Sequence, residues 1–129
     1  MSSDIEHFYV ERGDPLLPLL PDGGGWEHDG EEHVAEGDGW LLSVYDPEPV
    51  EAAEIPEDLR GLVPGLAFRV DARLEPIDPP DQAWALLEAV LDTVGGALGG
   101  ATYDVRSGHA IAWRDGLRVR KREAARPRG

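Results

Sequence analysis

The chain has 129 residues, 41% of them hydrophobic, which is the size and composition of a single domain with one core. It contains no cysteine, so disulfides, thiolate metal sites and thiol nucleophiles are excluded. The formal net charge of -14 and the pI near 4.5 disfavour phosphate backbones and anionic lipids as partners and favour a basic protein.

The N-terminal segment MSSDIEHFYV has no basic region followed by an apolar run, so it does not match the pattern of a secretory signal. No later stretch approaches the ~20 apolar residues that a membrane helix needs. We therefore expect a cytoplasmic protein with no membrane contact. His7 lies in a predicted strand here, where a single histidine indicates a packed or surface residue and not a catalyst.

A long acidic region lies between Arg12 and Arg60, where the chain has fourteen Asp and Glu residues and no Lys or Arg. Its first part, GDPLLPLLPDGGG, has three prolines and a glycine run, which predict an irregular loop or one short turn packed by its leucines. Residues 26 to 45 predict a small antiparallel meander, because Asp-Gly turn signals at 29–30 and 38–39 separate short hydrophobic runs. Its last strand, WLLSVYD, should be the most buried.

The predicted hairpin WEHDGEEHVAEGDGW, residues 26 to 40, concentrates this acidity. Carboxylates gathered on one segment create a negative field that speeds encounter with a basic protein. A tryptophan beside a glycine run is a candidate anchor for such an interface. The predicted partner-binding residues are Trp26, Glu27, Asp29, Glu31, Glu32, Glu36 and Asp38. The simpler alternative is that these carboxylates only form a solvated surface.

The same segment contains His28 and His33, which with the nearby carboxylates could hold a divalent metal ion. Their five-residue separation does not match the i, i+4 histidine pair of a helical zinc site. An EF-hand alignment also fails, because it puts Gly25 where the leading Asp must be. We favour a solvated acidic hairpin and keep a metal-dependent module as an alternative.

The middle of the chain predicts a strand and the principal helix. PEDLRGL predicts one helical turn that begins at Pro56. LAFRVDARL, residues 66 to 74, alternates apolar and polar side chains with the period of a half-buried strand. The helix follows at about 80–95, with Asp81 as its N-cap and Gly95-Gly96 at its fraying end. Its apolar stripe consists of Ala83, Leu87, Val90, Leu91, Val94 and Leu98.

The C-terminal part predicts a second meander, with short strands near 101–105, 109–114 and 117–121. Turn signals at Ser107-Gly108 and Asp115-Gly116 separate these strands. Tyr103 and Asp104 precede the first turn, which indicates a packed tyrosine and a turn-closing aspartate.

These elements together predict an α+β fold, in which an antiparallel sheet of about five to seven strands carries one principal helix on one face. We assign residues 1–122 to a single domain. Residues 123–129 form a basic tail that we expect to be disordered.

The segment RVDARLEPIDPPDQAWALLEAVLDTVGGALGGATYDVRSGHAIAW, residues 69 to 113, resembles the C-terminal half of small acidic bacterial immunity proteins from polymorphic toxin systems. In those proteins a similar helix is often followed by a Gly-Gly pair, a short strand and an Asp before a turn. The resemblance implies a cytoplasmic protein that neutralises a cognate toxin by binding it, without a cofactor. It carries over no individual toxin-contacting residue.

The sequence thus predicts a non-enzymatic binding protein that inhibits a basic toxin or enzyme through an acidic surface. We predict no catalytic residues, because the candidate nucleophiles Ser43, Thr93, Thr102 and Ser107 lie in no recognisable nucleophile elbow. We expect no cofactor, as the resemblance implies. Two alternatives remain open. One is a small metal-dependent enzyme or metal-binding module that uses His28 and His33. The other is a nucleic-acid mimic that occupies a DNA-binding protein; nucleic acid itself is not an expected partner.

Overall fold

The computed structural model of the chain describes residues 3–10, 20–21, 25–75, 78–105, 107–114 and 117–120. Within them nine strands form one antiparallel sheet beside two α-helices and one 3₁₀ helix, which confirms the α+β prediction. The strands are β1 (Ser3–Tyr9), β2 (Glu27–Asp29), β3 (Glu32–Gly37), β4 (Trp40–Tyr45), β5 (Glu48–Pro49), β6 (Phe68–Glu75), β7 (Gly100–Asp104), β8 (Ala110–Arg114) and β9 (Leu117–Arg120). The α-helices are α1 (Glu57–Leu62) and α2 (Asp81–Leu98), and the 3₁₀ helix is Ala52–Glu54.

The strand order is β2-β3-β4-β6-β1-β7-β8-β9, and β5 pairs with one end of β6. The long strands β1 and β6 pair at the centre. The first meander joins this pair through β4, and the second joins it through β7. Two of the strands, β2 and β5, have only three and two residues. The seven longer described strands therefore agree with the predicted number.

One face of the sheet is covered by α2 and holds the main core. Directly paired residues point to the same side of a sheet, so Ile5, Ala72 and Val44 share this face across three strands. The predicted stripe of α2 is confirmed. Its buried members are Ala83, Leu87, Val90 and Val94, and its half-buried members are Leu91 and Leu98. Each fully buried Leu or Val contributes about 1.5–3 kcal/mol of transfer free energy, which holds the helix on the sheet.

Both ends of α2 differ from the prediction. Pro80 is the N-cap, and Asp81 is the first helical residue, where its charge is still favourably placed near the helix N-terminus. The helix also continues past Gly95 to Leu98, and Gly99 caps it. A Cβ atom at Gly95 would lie 2.2 Å from the Trp113 ring. The glycine therefore permits close packing within the helix and does not end it.

The other face of the sheet has a smaller core at one end, beneath the connection that contains α1. This second cluster consists of Phe8, Ile55, Leu59, Leu66, Ala101 and Ala110. The predicted turn at PEDLRGL is confirmed, because α1 begins directly after Pro56. Leu66 was predicted to share a face with Val70, but β6 begins only at Phe68. Leu66 precedes the strand and packs in the second cluster instead.

The first meander is present as β2, β3 and β4, and β4 is the most buried of the three. The turn at Asp38-Gly39 forms as predicted. The earlier turn is displaced by one residue, because Asp29 pairs with Glu32 and leaves Gly30 and Glu31 as the central pair. Gly30 has a φ of 65°, a conformation that glycine adopts without steric cost at the first central position.

The second meander is confirmed by β7, β8 and β9. Asp104 closes its first turn as predicted: the Gly108 N–H donates to the Asp104 carbonyl at 2.8 Å, and the Ser107 N–H donates to Asp104 Oδ1 at 3.4 Å. The Asp115-Gly116 turn, the tail 123–129 and most of the loop GDPLLPLLPDGGG lie outside the described residues. No helix among the described residues is long and apolar enough to cross a membrane.

Candidate functional site on the polar face of the sheet

Most carboxylates of the predicted site lie on the face of the sheet opposite α2, which we call the polar face. The register places Glu32 opposite both Asp29 and Tyr45. Ser43 lies two residues before Tyr45 on β4, so both side chains point to this face. Ser43 pairs with Arg73 in β6, so the same face continues to the centre of the sheet. Glu27 and Glu36 follow by the same alternation, whereas Glu31 and Asp38 lie in the turns. Of these six carboxylate residues Glu32 is half-buried, and the other five are exposed.

Trp26 is held by the fold more firmly than a free interface anchor would be. Its side chain is half-buried and packs against the main core. Its Nε1 donates a hydrogen bond to the carbonyl of Pro21 at 3.0 Å. Only the exposed part of the indole is therefore presented to a partner, and the carboxylates supply most of the accessible surface of the predicted site.

A groove of about 440 Å³ lies on the polar face between the end of β4 and the central strands. Half of the residues that line it carry carboxylates: they are Asp4, Glu6, Glu31, Asp46, Glu48 and Asp71. Arg73 also lines it, and its Nε lies 3.0 Å from Asp4 Oδ1. Tyr45, Pro47 and Val105 add apolar surface. The groove can therefore receive a cationic group that carries an apolar stem.

Arg69 is the second cation of this region and is bound by three carboxylates. Its Nη1 lies 3.7 Å from Glu6 Oε2, its Nε lies 3.3 Å from Asp71 Oδ1, and its Nη2 contacts Glu48. Six acidic residues thus line a groove that contains Arg73 and adjoins Arg69. The two arginines do not neutralise this charge, so a net negative charge remains for a ligand.

Glu6 and Asp71 are directly opposite each other in the β1–β6 pair. Partial burial raises the pKa of Glu6, and the neighbouring Asp71 raises it further. Partial burial also raises the pKa of Asp71, while Arg69 opposes the shift. Like charges placed directly across two strands are destabilising. The floor of the groove therefore favours an additional positive charge.

His28 and His33 form a second cluster on the opposite face of the hairpin, and Asp46, which also lines the groove, contacts it. Strand pairing places them directly across from each other, and their rings stack with centroids 4.4 Å apart and planes 6° apart. His33 is buried, and its Nε2 lies 2.6 Å from Asp46 Oδ1. One potential ligand atom from each of His28, His33 and Asp46 lies within 4.8 Å of the other two. The helical i, i+4 template therefore does not describe how these histidines meet.

Of the other two histidines, His7 lies in β1 as predicted, whereas His109 precedes β8 and so lies outside the strand that was predicted to begin near residue 109. His7 is buried and makes hydrogen bonds to Thr102 and Gly99 through its two ring nitrogens. Burial lowers the pKa of His7 to about 4, although the bond to Gly99 opposes this shift. His109 is exposed near the turn before β8. Neither histidine lines the groove.

Sequence reasoning found the hairpin carboxylates and missed those of the central strands. The available signal was the alternation in SDIEHFY, where Asp4 and Glu6 take one face and Ile5 and His7 the other. That pattern predicts a polar face but does not show that Asp71 lies across from Glu6. Asp46 could not be found, because only the pairing of β3 with β4 brings it to His33.

Comparisons of the chain with protein-family models, with curated proteins and with solved structures gave no significant match.

Proposed function

We propose that this protein is a non-enzymatic binding module that holds a basic protein against the polar face of its sheet. The observation that carries the proposal is a shared face: the register places Glu27, Asp29, Glu32 and Glu36 on the same side of the sheet as the carboxylates of the groove. Such a field accelerates encounter with a basic surface and disfavours acidic partners. The hairpin and the groove then act as one acidic surface.

The groove gives this surface a specific feature to recognise. Its apolar residues suit the stem of a lysine or arginine side chain, and its carboxylates suit the charged end. Arginine fits best, because a guanidinium forms paired hydrogen bonds with carboxylates. Glu31 lines the groove and also lies in the hairpin turn, so one partner segment can contact both regions.

The kind of partner is suggested by the resemblance of residues 69 to 113 to immunity proteins of polymorphic toxin systems. On that basis we propose that the basic protein is a cognate toxin or enzyme, which this protein neutralises by occupying a functional surface in the bacterial cytoplasm. The formal charge of -14 is compatible with this role. The inhibitor requires no catalytic group and no cofactor.

The proposal is tested with two variants of equal charge change. In the hairpin variant Glu27→Gln, Asp29→Asn, Glu32→Gln and Glu36→Gln are combined. In the control variant four acids on the helix side of the molecule are neutralised: Asp78→Asn, Asp81→Asn, Glu88→Gln and Asp92→Asn. Both are used beside the wild-type protein to capture partners from a host lysate, and each captured protein is identified, purified and titrated calorimetrically.

The expected result is a basic partner that the hairpin variant binds roughly tenfold or more weakly, since each lost ion pair contributes about 0.2–1 kcal/mol. The control variant should bind within about threefold of the wild type, and higher salt should weaken binding of the wild type. The partner's own activity should fall as wild-type protein is added. Equal losses in both variants would show that only net charge matters, and no loss in either would refute the acidic binding face.

The nucleic-acid mimic makes a different prediction in the same experiment. A mimic would capture a DNA-binding protein, and duplex DNA would compete with the wild-type protein for it. A toxin whose basic contact surface is not a DNA site would be captured equally well with and without added duplex. Competition by DNA would therefore favour the mimic.

A further inference from the structure

The stacked histidines of the hairpin have a ring nitrogen that could bind a ligand, and the proposed binding face does not use it. His33 is only 2% exposed, and its Nε2 is bonded to Asp46. Its other nitrogen, Nδ1, is buried and has no hydrogen-bond partner among the described residues. A neutral imidazole has one N–H and one lone pair, so this ring keeps one nitrogen without a protein partner. A buried polar atom without a partner costs free energy unless a ligand satisfies it.

We propose that His33, through Nδ1, and the imidazole of His28 bind a divalent transition-metal ion of the Zn²⁺ class, while Asp46 accepts the hydrogen bond of His33 Nε2 and orients the ring. Imidazole nitrogen is a common ligand of zinc, and a zinc-binding histidine usually donates its other ring N–H to a carboxylate, as His33 can to Asp46. The potential ligand atoms already lie within 4.8 Å of one another. Imidazole nitrogen selects Zn²⁺, Ni²⁺ or Cu²⁺ over Mg²⁺ and Ca²⁺, which prefer oxygen ligands only.

The side chains of the three residues differ in how freely they can move. Burial and the bond to Asp46 hold His33 in place, whereas His28 is exposed on the edge strand. A metal ion lies in the plane of each imidazole that binds it, and two rings 4.4 Å apart and 6° from parallel do not point to a common position. His28 must therefore turn out of the stack to bind, and its exposure permits this rotation.

The carboxylates of the hairpin support the site without belonging to it. Glu27 and Asp29 flank His28 in β2, and alternation directs their side chains to the polar face. Their negative field raises the local concentration of cations. It cannot distinguish Zn²⁺ from Mg²⁺, so selectivity must come from the imidazoles. Binding of Zn²⁺ in preference to Mg²⁺ therefore distinguishes a specific metal site from general attraction to an acidic surface.

The test is a calorimetric titration of Zn²⁺ into the untagged full chain after treatment with chelator, in the presence of excess Mg²⁺. His28→Gln removes the exposed imidazole, and Asp46→Asn removes the carboxylate charge while conserving size. His109→Gln is the matched control, since His109 is exposed and outside the cluster. The ring signals of His28 and His33 are followed by NMR during the same titration, with those of His7 as an internal reference.

We expect one saturable Zn²⁺ site per chain, which persists in excess Mg²⁺ and is weakened at least about tenfold in His28→Gln and in Asp46→Asn. His109→Gln should bind like the wild type, and the ring signals of His28 and His33 should shift while those of His7 do not. Unchanged affinity in His28→Gln or Asp46→Asn, displacement of Zn²⁺ by Mg²⁺, or no saturable binding would each overturn the proposal. The outcome is independent of whether a basic partner exists.

Discussion

The imidazole of His7 joins the end of α2 to the sheet through both ring nitrogens. The Gly99 carbonyl can only accept a hydrogen bond, so His7 Nε2 carries the proton and donates over 2.7 Å. His7 Nδ1 then accepts from the Thr102 hydroxyl at 2.8 Å, and the Trp113 Nε1 donates to the same hydroxyl oxygen at 2.8 Å. Every polar atom of this buried chain has a partner when His7 is neutral.

A pH dependence of stability follows from this network. The pKa of His7 is lowered to about 4 in the folded state, whereas an unfolded histidine titrates near its ordinary value of about 6.5. Above pH ~6.5 both states are neutral and the full stability is present. As the pH falls from ~6.5 to ~4, only the unfolded state gains a proton, and the free energy of unfolding decreases by roughly 3 kcal/mol.

Urea unfolding of the wild type and of His7→Leu between pH 7.5 and pH 4 measures this contribution. His7→Leu should be less stable at pH 7.5 by about 1–3 kcal/mol, because Thr102 and Gly99 lose a buried partner. The difference in the free energy of unfolding between the two proteins should narrow as the pH falls, since only the wild type has a His7 whose protonation in the unfolded state favours unfolding. His109→Gln should parallel the wild type throughout. A difference that stays constant with pH would show that protonation of His7 does not have this effect.

At the level of single elements, the contact between α2 and β8 is sensitive to a small change. A Cβ atom at Gly95 would meet the Trp113 indole at 2.2–2.6 Å, well inside contact distance. Gly95→Ala should therefore lower the free energy of unfolding by about 1–3 kcal/mol, despite the better helix propensity of alanine. Near-UV circular dichroism should report the displaced indole.

Gly61 in α1 provides the matched control for this substitution. A Cβ atom there would have no neighbour within 4 Å. Gly61→Ala should therefore raise the free energy of unfolding by about 0.5–1 kcal/mol through helix propensity alone. Chemical denaturation of both variants checks the pair, and a Gly95→Ala protein as stable as Gly61→Ala would refute the packing argument.

The two glycines also show why some boundaries could be predicted from sequence and others could not. Alternation identified β6, and periodicity identified the buried stripe of α2, because both patterns are local. Gly95 looks like a helix end in the sequence, since its contact with Trp113 joins residues far apart in the chain. The hairpin carboxylates were visible as a run, but the groove depends on pairing between β1 and β6. Sequence patterns therefore predicted the strands and the helix, whereas the position of the candidate site depends on how the strands pair.

At the scale of the whole molecule, the two faces of the sheet differ in role. The face covered by α2 holds the main core, and within the described residues the opposite face is packed where α1 and its connection cover it. The rest of that face carries the groove and the hairpin carboxylates. Mutual repulsion of these charges opposes folding, and added salt screens it. The core must therefore offset a destabilisation that the acidic face introduces.

Stability should accordingly be graded across the sheet. β1 and β6 lie at its centre and are paired on both sides, so their amides should open only by global unfolding. Among the described strands, β2 lies at one edge, has three exposed residues and pairs with β3 alone. Native-state hydrogen exchange should find the slowest amides in β1 and β6 and the fastest strand amides in β2. Comparable protection in β2 and β6 would contradict this gradient.

Amide chemical shifts separate the two binding proposals, because they report where a ligand makes contact. Hydrogen exchange does not, since any ligand of the native state raises the free energy of global unfolding and so slows exchange in β1 as well. Zn²⁺ held by His28 and His33 should shift the amide resonances of β2 and β3 and leave those of β1 unchanged. A basic partner whose side chain enters the groove should also shift the resonances around Glu6 in β1. Shifts confined to the hairpin with both ligands would place the partner on the hairpin alone and remove the groove from the binding surface.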